Sequence, residues 1–336
     1  MNARVSKFSI AVTLIMCLFI FVPTNSIAAN DDFPDRPINF LIPYGPGGIT
    51  DITGRALISA ANKHIRQQIV AVNRPGGSGS VAAMAVATSK PDGYTIGLCT
   101  ASQMLVAPHD PATPFHSLDG FTFIMNYGGN LHGYITRSDA SWKTWNEFID
   151  AARNQPGKIK AGVTGAPYNN YSGLLMSHVA EKEKVKLAII PFKSGAEIIT
   201  ALMGGHIDLY ATAIDPPTMS FIKQGKARPL AMADIKLPDY DNIPLLVERY
   251  NFPRDVQIHV AGVFGPKGLP EPIAAKLEEV FTKASKDEEF QNVMNKLLVP
   301  QRYLCRKEMR PFIDKAFIAT GEAIKKVREQ MDKEKK

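Results

Sequence analysis

The sequence predicts an α/β fold in two lobes. Strand-like and helix-like segments alternate along most of the chain, and the alternation falls into two successive series. Length agrees: 336 residues less a 28-residue leader leaves about 308, more than one hydrophobic core usually serves.

The leader comes first. Arg4 and Lys7 precede an apolar stretch from Phe8 to Val22, and Ser26-Ile27-Ala28 has the small-x-small spacing of a cleavage site. The stretch falls short of the roughly 20 residues a spanning helix requires. Residues 1–28 are therefore expected to be a cleaved signal peptide, and the mature chain to be soluble and exported. Met16 is too bulky for the lipid-anchor signal that Cys17 would otherwise suggest. Losing Arg4 and Lys7 turns the formal +7 into +5, and the basic residues are scattered except for the tail at 325–336. No nucleic-acid partner is expected from that balance. Export permits a disulfide between Cys99 and Cys305, but their spacing carries no pairing information.

The first series has strands at 38–43, 69–73 and 94–99. Between the first two, Ala56, Leu57, Ala60, Ala61 and Ile65 stand at helical spacing over 52–65. An alanine-rich helix over 81–88 ends at the turn Lys90-Pro91-Asp92-Gly93. The second series opens near Trp142 with a capping box, Thr144-x-x-Glu147. Strands are expected at 159–163, 187–191, 207–211 and 230–233. Helices are expected from Tyr171, from a second box at Ser194-x-x-Glu197, and over 216–225. Another apolar segment at 259–264 and three helices, 272–284, 287–297 and about 311–330, complete the chain. The simplest arrangement crosses between lobes near 123–137 and back near 257–265. Lobe one is then 29–131 with 257–336, lobe two is 132–256, and two crossovers form a hinge beneath a central cleft.

Enzyme chemistry finds little support. Gly77-Ser78-Gly79-Ser80-Val81-Ala82 matches G-x-G-x-x-A, but the acidic residue expected about 20 positions on is missing. No Walker sequence, G-x-S-x-G elbow or H-E-x-x-H occurs. The seven histidines lie in seven different segments without metal-ligand spacing, and no triad declares itself. The chain is expected to have no catalytic residue, no metal and no cofactor.

Binding residues cluster instead at the strand-to-helix junctions, which are rich in glycine and small polar side chains. In open α/β sheets a ligand sits beyond the carboxyl ends of the strands, where helix N-termini offer free N–H groups to an anion. The junctions nominate Tyr44, Gly47, Gly48 and Asp51, then Ser78, Thr100 and Ser102 in lobe one. Gly165, Ala166, Asn169, Lys193, Thr212 and Asp215 follow in lobe two. Asp51 reads as a helix N-cap or as a ligand-side group. Tyr44 could stack on a ligand or pack between lobes. Lys193 could attract a carboxylate or be a solvated loop lysine, and Asp215 could start a helix or touch the ligand.

The blocks Pro43-Tyr44-Gly45-Pro46-Gly47-Gly48-Ile49-Thr50-Asp51, Val72-Asn73-Arg74-Pro75-Gly76-Gly77-Ser78-Gly79 and Lys90-Pro91-Asp92-Gly93-Tyr94-Thr95 resemble the Bug receptors. These are the periplasmic solute-binding proteins of tripartite tricarboxylate transporters. Ile190-Pro191-Phe192-Lys193-Ser194-Gly195, Gly204-Gly205-His206-Ile207-Asp208 and Gly225-Lys226-Ala227-Arg228-Pro229-Leu230-Ala231 resemble later blocks of the same family. The resemblance implies a two-lobed periplasmic-binding-protein fold of type II form, closing on a small carboxylated molecule. It implies that Tyr44, Gly47, Gly48 and Asp51 grip the ligand with Gly165, Ala166 and Asn169 opposite. It further implies a monomer in the periplasm of a Gram-negative cell, taking a di- or tricarboxylate or an aromatic acid and delivering it to integral membrane subunits. The segment 165–171 lacks the family's serine-rich form, and Leu246-Val247-Glu248-Arg249-Tyr250 replaces its E-A-G block. Two other readings stand beside this one: a ligand sensor for a membrane kinase, and an exported α/β hydrolase.

Overall fold

The computed structural model describes residues 33–165, 170–253, 255–256 and 259–334. The expected signal peptide at 1–28 lies outside the described residues, as do Ala166 and Asn169.

The chain begins with β1 (Ile38–Ile42), α1 (Ile49–Ala61), β2 (Ile69–Asn73), α2 (Ser80–Ala87), β3 (Thr95–Thr100) and β4 (Phe121–Gly128). It continues through β5 (His132–Arg137), α3 (Trp145–Asn154), β6 (Lys160–Thr164), α4 (Tyr171–Glu183), β7 (Ala188–Phe192), α5 (Gly195–Met203), β8 (Leu209–Ala213), α6 (Pro216–Lys223), β9 (Ala227–Met232) and α7 (Leu246–Arg249). It ends with β10 (Ala261–Pro266), α8 (Glu271–Ser285), α9 (Glu288–Lys296), β11 (Gln301–Leu304) and α10 (Arg306–Glu334).

Two sheets result. The first has the order β11-β4-β10-β3-β1-β2 and the second β7-β6-β8-β5-β9. In each, three parallel strands receive one inserted antiparallel strand: β10 pairs with β3 and β4, and β5 pairs with β8 and β9. The inserted strands are those that adjoin the passages between sheets. One passage runs from Gly128 to His132, the other from Met232 through α7 to Ala261.

Local chemistry accounts for most elements. Thr144 accepts a hydrogen bond from Glu147 N–H at the start of α3, and Ser194 does the same for Glu197 at α5. Glu147 and Glu197 reach back, but to Lys143 N–H and Lys193 N–H, one residue before each cap. The helix α1 buries Ile49, Thr53, Leu57 and Ala60 along one stripe. The final helix starts at Arg306, ahead of the expected Pro311. Strands β4 and β5 are nearly buried throughout and interrupted by Asn126, Gly128 and Gly133, so no alternation announces them. The core of the second sheet, around Trp145, Phe148 and Tyr171, also takes in Val106 and the Ala323–Ile324 turn of α10. Cys99 and Cys305 are free, and burial pushes the Cys99 thiol up to about 12. Among the described residues no helix is long and apolar enough to cross a membrane.

Asn126 ties the two passages together. Fully buried, it directs Nδ2 at the carbonyls of Gly128 (3.1 Å), His259 (3.4 Å) and Arg302 (2.8 Å), while Oδ1 accepts from Ala261 N–H at 3.0 Å. Removing such a group strands buried backbone partners at about 1–3 kcal/mol apiece. Asn126→Ala is expected to lose on the order of 3 kcal/mol, read as a lower urea midpoint at unchanged slope.

Candidate functional site

A cavity of about 40 Å³ lies between the facing edges of the two sheets. The loop after β1 contributes Tyr44, Gly48, Ile49 and Thr50, and the segment after β3 contributes Thr100, Ala101 and Ser102. The second sheet supplies Thr164, Ser194, Gly195, Thr212 and Ala213. Asn130, His132 and Val260 come from the passages between sheets. The volume holds a few waters at about 10–15 Å³ each.

Two helix starts open onto this space. Gly48 is the N-cap of α1 and Ser194 that of α5, and Ile49, Thr50 and Gly195 are the first helical residues behind them. The first N–H groups of a helix have no acceptor within it and sit at the positive end of its dipole. Gly48 has an ordinary extended backbone, φ −78°, so its lack of a side chain concerns space: a Cβ there would stand 3.6 Å from Ser194 Cβ across the cleft.

Of the sequence-nominated residues, Tyr44, Gly48, Thr100, Ser102 and Thr212 line the cavity. Tyr44 Oη donates to the Ser78 carbonyl and lies 3.3 Å from Thr100 Oγ1, and burial raises its pKa. Ser102 Oγ accepts from Tyr171 N–H at 3.1 Å, a direct bond between the two sheets' loops. Gly45 N–H donates to the Lys193 carbonyl at 3.3 Å, a second such bond.

The other nominated residues sit behind the lining. Asp51 is not the N-cap, since Gly48 holds that position. Its carboxylate accepts from Gly47 N–H (3.1 Å), Arg55 Nε (2.8 Å) and Asn73 Nδ2 (2.8 Å), all within its own loop and neighbours. Gly47 is occupied in that bond. Gly165 has φ +80° and packs so closely on Ser78 that a Cβ would come 2.3 Å from Ser78 Oγ, so the pair closes the cleft beside the cavity. Lys193 carries an exposed side chain. Asp215 caps α6, accepting from Thr218 N–H at 2.9 Å. It is 1% exposed, its Oδ2 has no partner, and burial raises its pKa.

Asn130, His132 and Val260 escaped the sequence argument, which looked for the site only at strand-to-helix junctions. His132 is the most informative of them. Its Nδ1 lies 2.8 Å from Ser172 Oγ, and its ring meets Tyr171 edge-on at 5.5 Å. Burial pushes its pKa down to about 4, so the ring is neutral at pH 7. Among the described residues no cluster suited to a metal exists. The Ser172–His132 pair is no nucleophile either, because Ser172 is 1% exposed and does not line the cavity.

Paired sheets with inserted antiparallel strands, facing helix starts and a cavity between them define a solute-binding receptor. The family described as tripartite tricarboxylate transporter family receptor matches residues 53–328, and the chain belongs to it. A Cupriavidus necator protein, "UPF0065 protein in gbd 5'region", is 32% identical over 258 residues, covering 76% of this chain and 77% of its own. The solved periplasmic binding protein BugD superposes with a TM-score of 0.78 at 24% identity, covering 88% of this chain and 98% of that one. MatC from Rhodopseudomonas palustris with bound malate (TM-score 0.75, 20% identity, 87% and 100% covered) shares the fold, as does an R. palustris protein with adipate (0.75, 21%, 88% and 98%). The α/β fold is that of periplasmic binding proteins, and family and fold are those of solute-binding receptors.

The buried imidazole makes the fold acid-sensitive in a defined window. An unfolded His titrates near 6.5, whereas folded His132 titrates at about 4. Between those values the unfolded chain binds the extra proton, so stability falls as pH drops from 6.5 to 4 and is unaffected above that range. The loss is on the order of 3 kcal/mol at the acid end. Urea titrations at pH 7 and 4.5 should show a smaller acid loss in His132→Gln than in the unaltered protein.

Proposed function

We propose that this protein is a periplasmic receptor that encloses a small carboxylate-bearing anion between two lobes and delivers it to the membrane subunits of a tripartite tricarboxylate-type transporter. The observation that carries the proposal is the convergence of two helix N-termini, from different sheets, on one cavity. In this reading the lobes are 29–131 with 257–336 and 132–256, joined by the two passages. Ile49, Thr50 and Gly195 N–H groups seat the carboxylate, and the hydroxyls of Tyr44, Thr100, Ser102 and Thr212 complete its surroundings. Gly47, Asp51, Ser78, Gly165 and Asp215 hold the loops in shape. Malate and adipate in two structural neighbours support a small organic acid as the ligand class. Delivery to membrane subunits, rather than to a sensor kinase, rests on the family. The receptor acts as a monomer and needs no chemistry, since a ligand that binds the closed form better draws the lobes together.

A thermal-shift panel of dicarboxylates, tricarboxylates, aromatic acids and acidic amino acids on ligand-stripped protein tests this. At 100 times its dissociation constant the right acid adds about 2.7 kcal/mol, a rise of roughly 5–10 °C in Tm. No rise with any acid would overturn the carboxylate reading. Gly48→Leu should fold with an unchanged Tm and lose that rise, because its side chain projects at Ser194 and fills the seat. An undiminished shift in that variant would show that the loop is only a turn.

A further inference from the structure

Among the described residues, the side chains that line the cavity include no Lys, Arg, Asp or Glu. Apart from the Tyr44 phenol, His132 is the one titratable group among the described lining residues, and the one able to become a cation. One carboxylate can be seated by helix N–H groups alone. A second carboxylate on the same ligand would be a further negative charge in a half-dry site, and charges of that kind need a partner.

The environment of His132 suits that task. Ser172 Oγ on α4 engages Nδ1, and among the described residues Nε2 makes no hydrogen bond. A serine hydroxyl can donate or accept. It donates to Nδ1 when the ring is neutral, leaving the proton on Nε2, and accepts from Nδ1–H when the ring is charged. Both protonation states are therefore satisfied at that edge. The other groups facing the ring are the Tyr171 ring on α4, Asp234 in the turn after β9, and His259 on the returning passage. Asp234 favours a charged ring, and its Oδ2 lies 2.8 Å from His259 Nε2. A charged His259 would oppose it. Burial outweighs both and keeps the ring neutral in the free protein.

We propose that His132 is the specificity-determining residue of the cleft: its Nε2–H binds a second carboxylate of the ligand, and one proton from solvent joins the ring as the dianion enters. The proposal rests on the carboxylate reading of the cleft. An opposite charge at hydrogen-bond distance raises a histidine pKa by about 1–3 units. Starting from about 4, the bound ring would titrate at about 5–7, so affinity for a dicarboxylate should rise as pH falls through that range, and affinity for a monocarboxylate should not gain this increment.

Isothermal titration of succinate against butyrate, and of adipate against hexanoate, tests this on the full mature chain and on His132→Gln. The titrations run at pH 7.5, 6.5 and 5.5, in two buffers of different ionisation enthalpy so that protons are counted. In the unaltered protein the better dicarboxylate should bind at least tenfold more tightly than its monocarboxylate partner, with the gap widening several-fold toward pH 5.5. Its binding at pH 5.5 should take up a measurable fraction of a proton, beyond any seen in His132→Gln. His132→Gln should keep monocarboxylate binding and lose most of the preference, the widening and the uptake. The acids' own titration is common to both proteins, so the difference between them belongs to His132. Identical selectivity and pH profiles in the two proteins would overturn the role of His132 while leaving the carboxylate cleft standing. Absence of proton uptake in the unaltered protein does the same without any variant. Failure of all four acids to bind either protein would overturn the second-carboxylate role of His132, while the wider acid panel decides the carboxylate reading itself.

Discussion

A helix cannot satisfy its own first N–H groups, and the organisation of this cleft follows from where those groups are placed. The helices α1 and α5 begin where β1 and β7 end, in different sheets, so two sets of orphan donors face one cavity. The chain answers part of that demand itself. Asp51 and Glu197 take the N–H groups of Gly47 and Lys193, one residue before each cap, while Ser194 Oγ takes Glu197 N–H. Asp215 does the same for α6. Asp51, Glu197 and Asp215 are thereby committed to loops and kept off the lining. What remains among the described lining residues is a neutral surface, so in the proposed reading its attraction for an anion would come from dipoles.

Those dipoles work together only while the sheets face each other, and the two passages enforce that. Asn126 binds both, reaching Gly128 on one and His259 and Ala261 beside the other. The passages run so close that a Cβ on Gly129 would fall 2.2 Å from His259 Cα. The Ala323–Ile324 turn of α10 adds a third connection by packing into the second sheet's core. Movement between lobes must leave these three ties intact, which restricts the proposed closure to a bend of the passages. Ser102–Tyr171 and Gly45–Lys193, by contrast, are single hydrogen bonds at the cleft edge, worth about 1 kcal/mol each. Such bonds can break and re-form in each cycle of binding and release.

The layered α/β pattern and the capping boxes at Thr144 and Ser194 were legible in the sequence because each rests on residues close together in the chain. Glycine-rich loops after strands pointed to Tyr44, Gly48, Thr100, Ser102 and Thr212 for the same reason. Residues whose role depends on partners far away were not legible. Asp51 has the composition of an N-cap, yet its three hydrogen-bond donors come from Gly47, Arg55 and Asn73, and the last belongs to the next strand. Strands β4 and β5 gave no periodic signal, because both are buried on two faces and carry the polar and glycine residues of the passage.

The same distinction bears on what family membership can say about a ligand. The blocks that resemble the family are mostly turns and helix starts, and they specify a backbone shape; in the proposed reading two of those starts seat the carboxylate. Backbone N–H groups hold one carboxylate much like another, so these loops cannot separate one organic acid from the next. In the proposed reading discrimination falls to the lining side chains, and those that approach from outside the strand-to-helix loops are Asn130, His132 and Val260 on the passages. His132 can add a charge to a lining that otherwise has no cation among the described residues, so under the proposed carboxylate reading the passages, more than the glycine loops, would set a preference among acids.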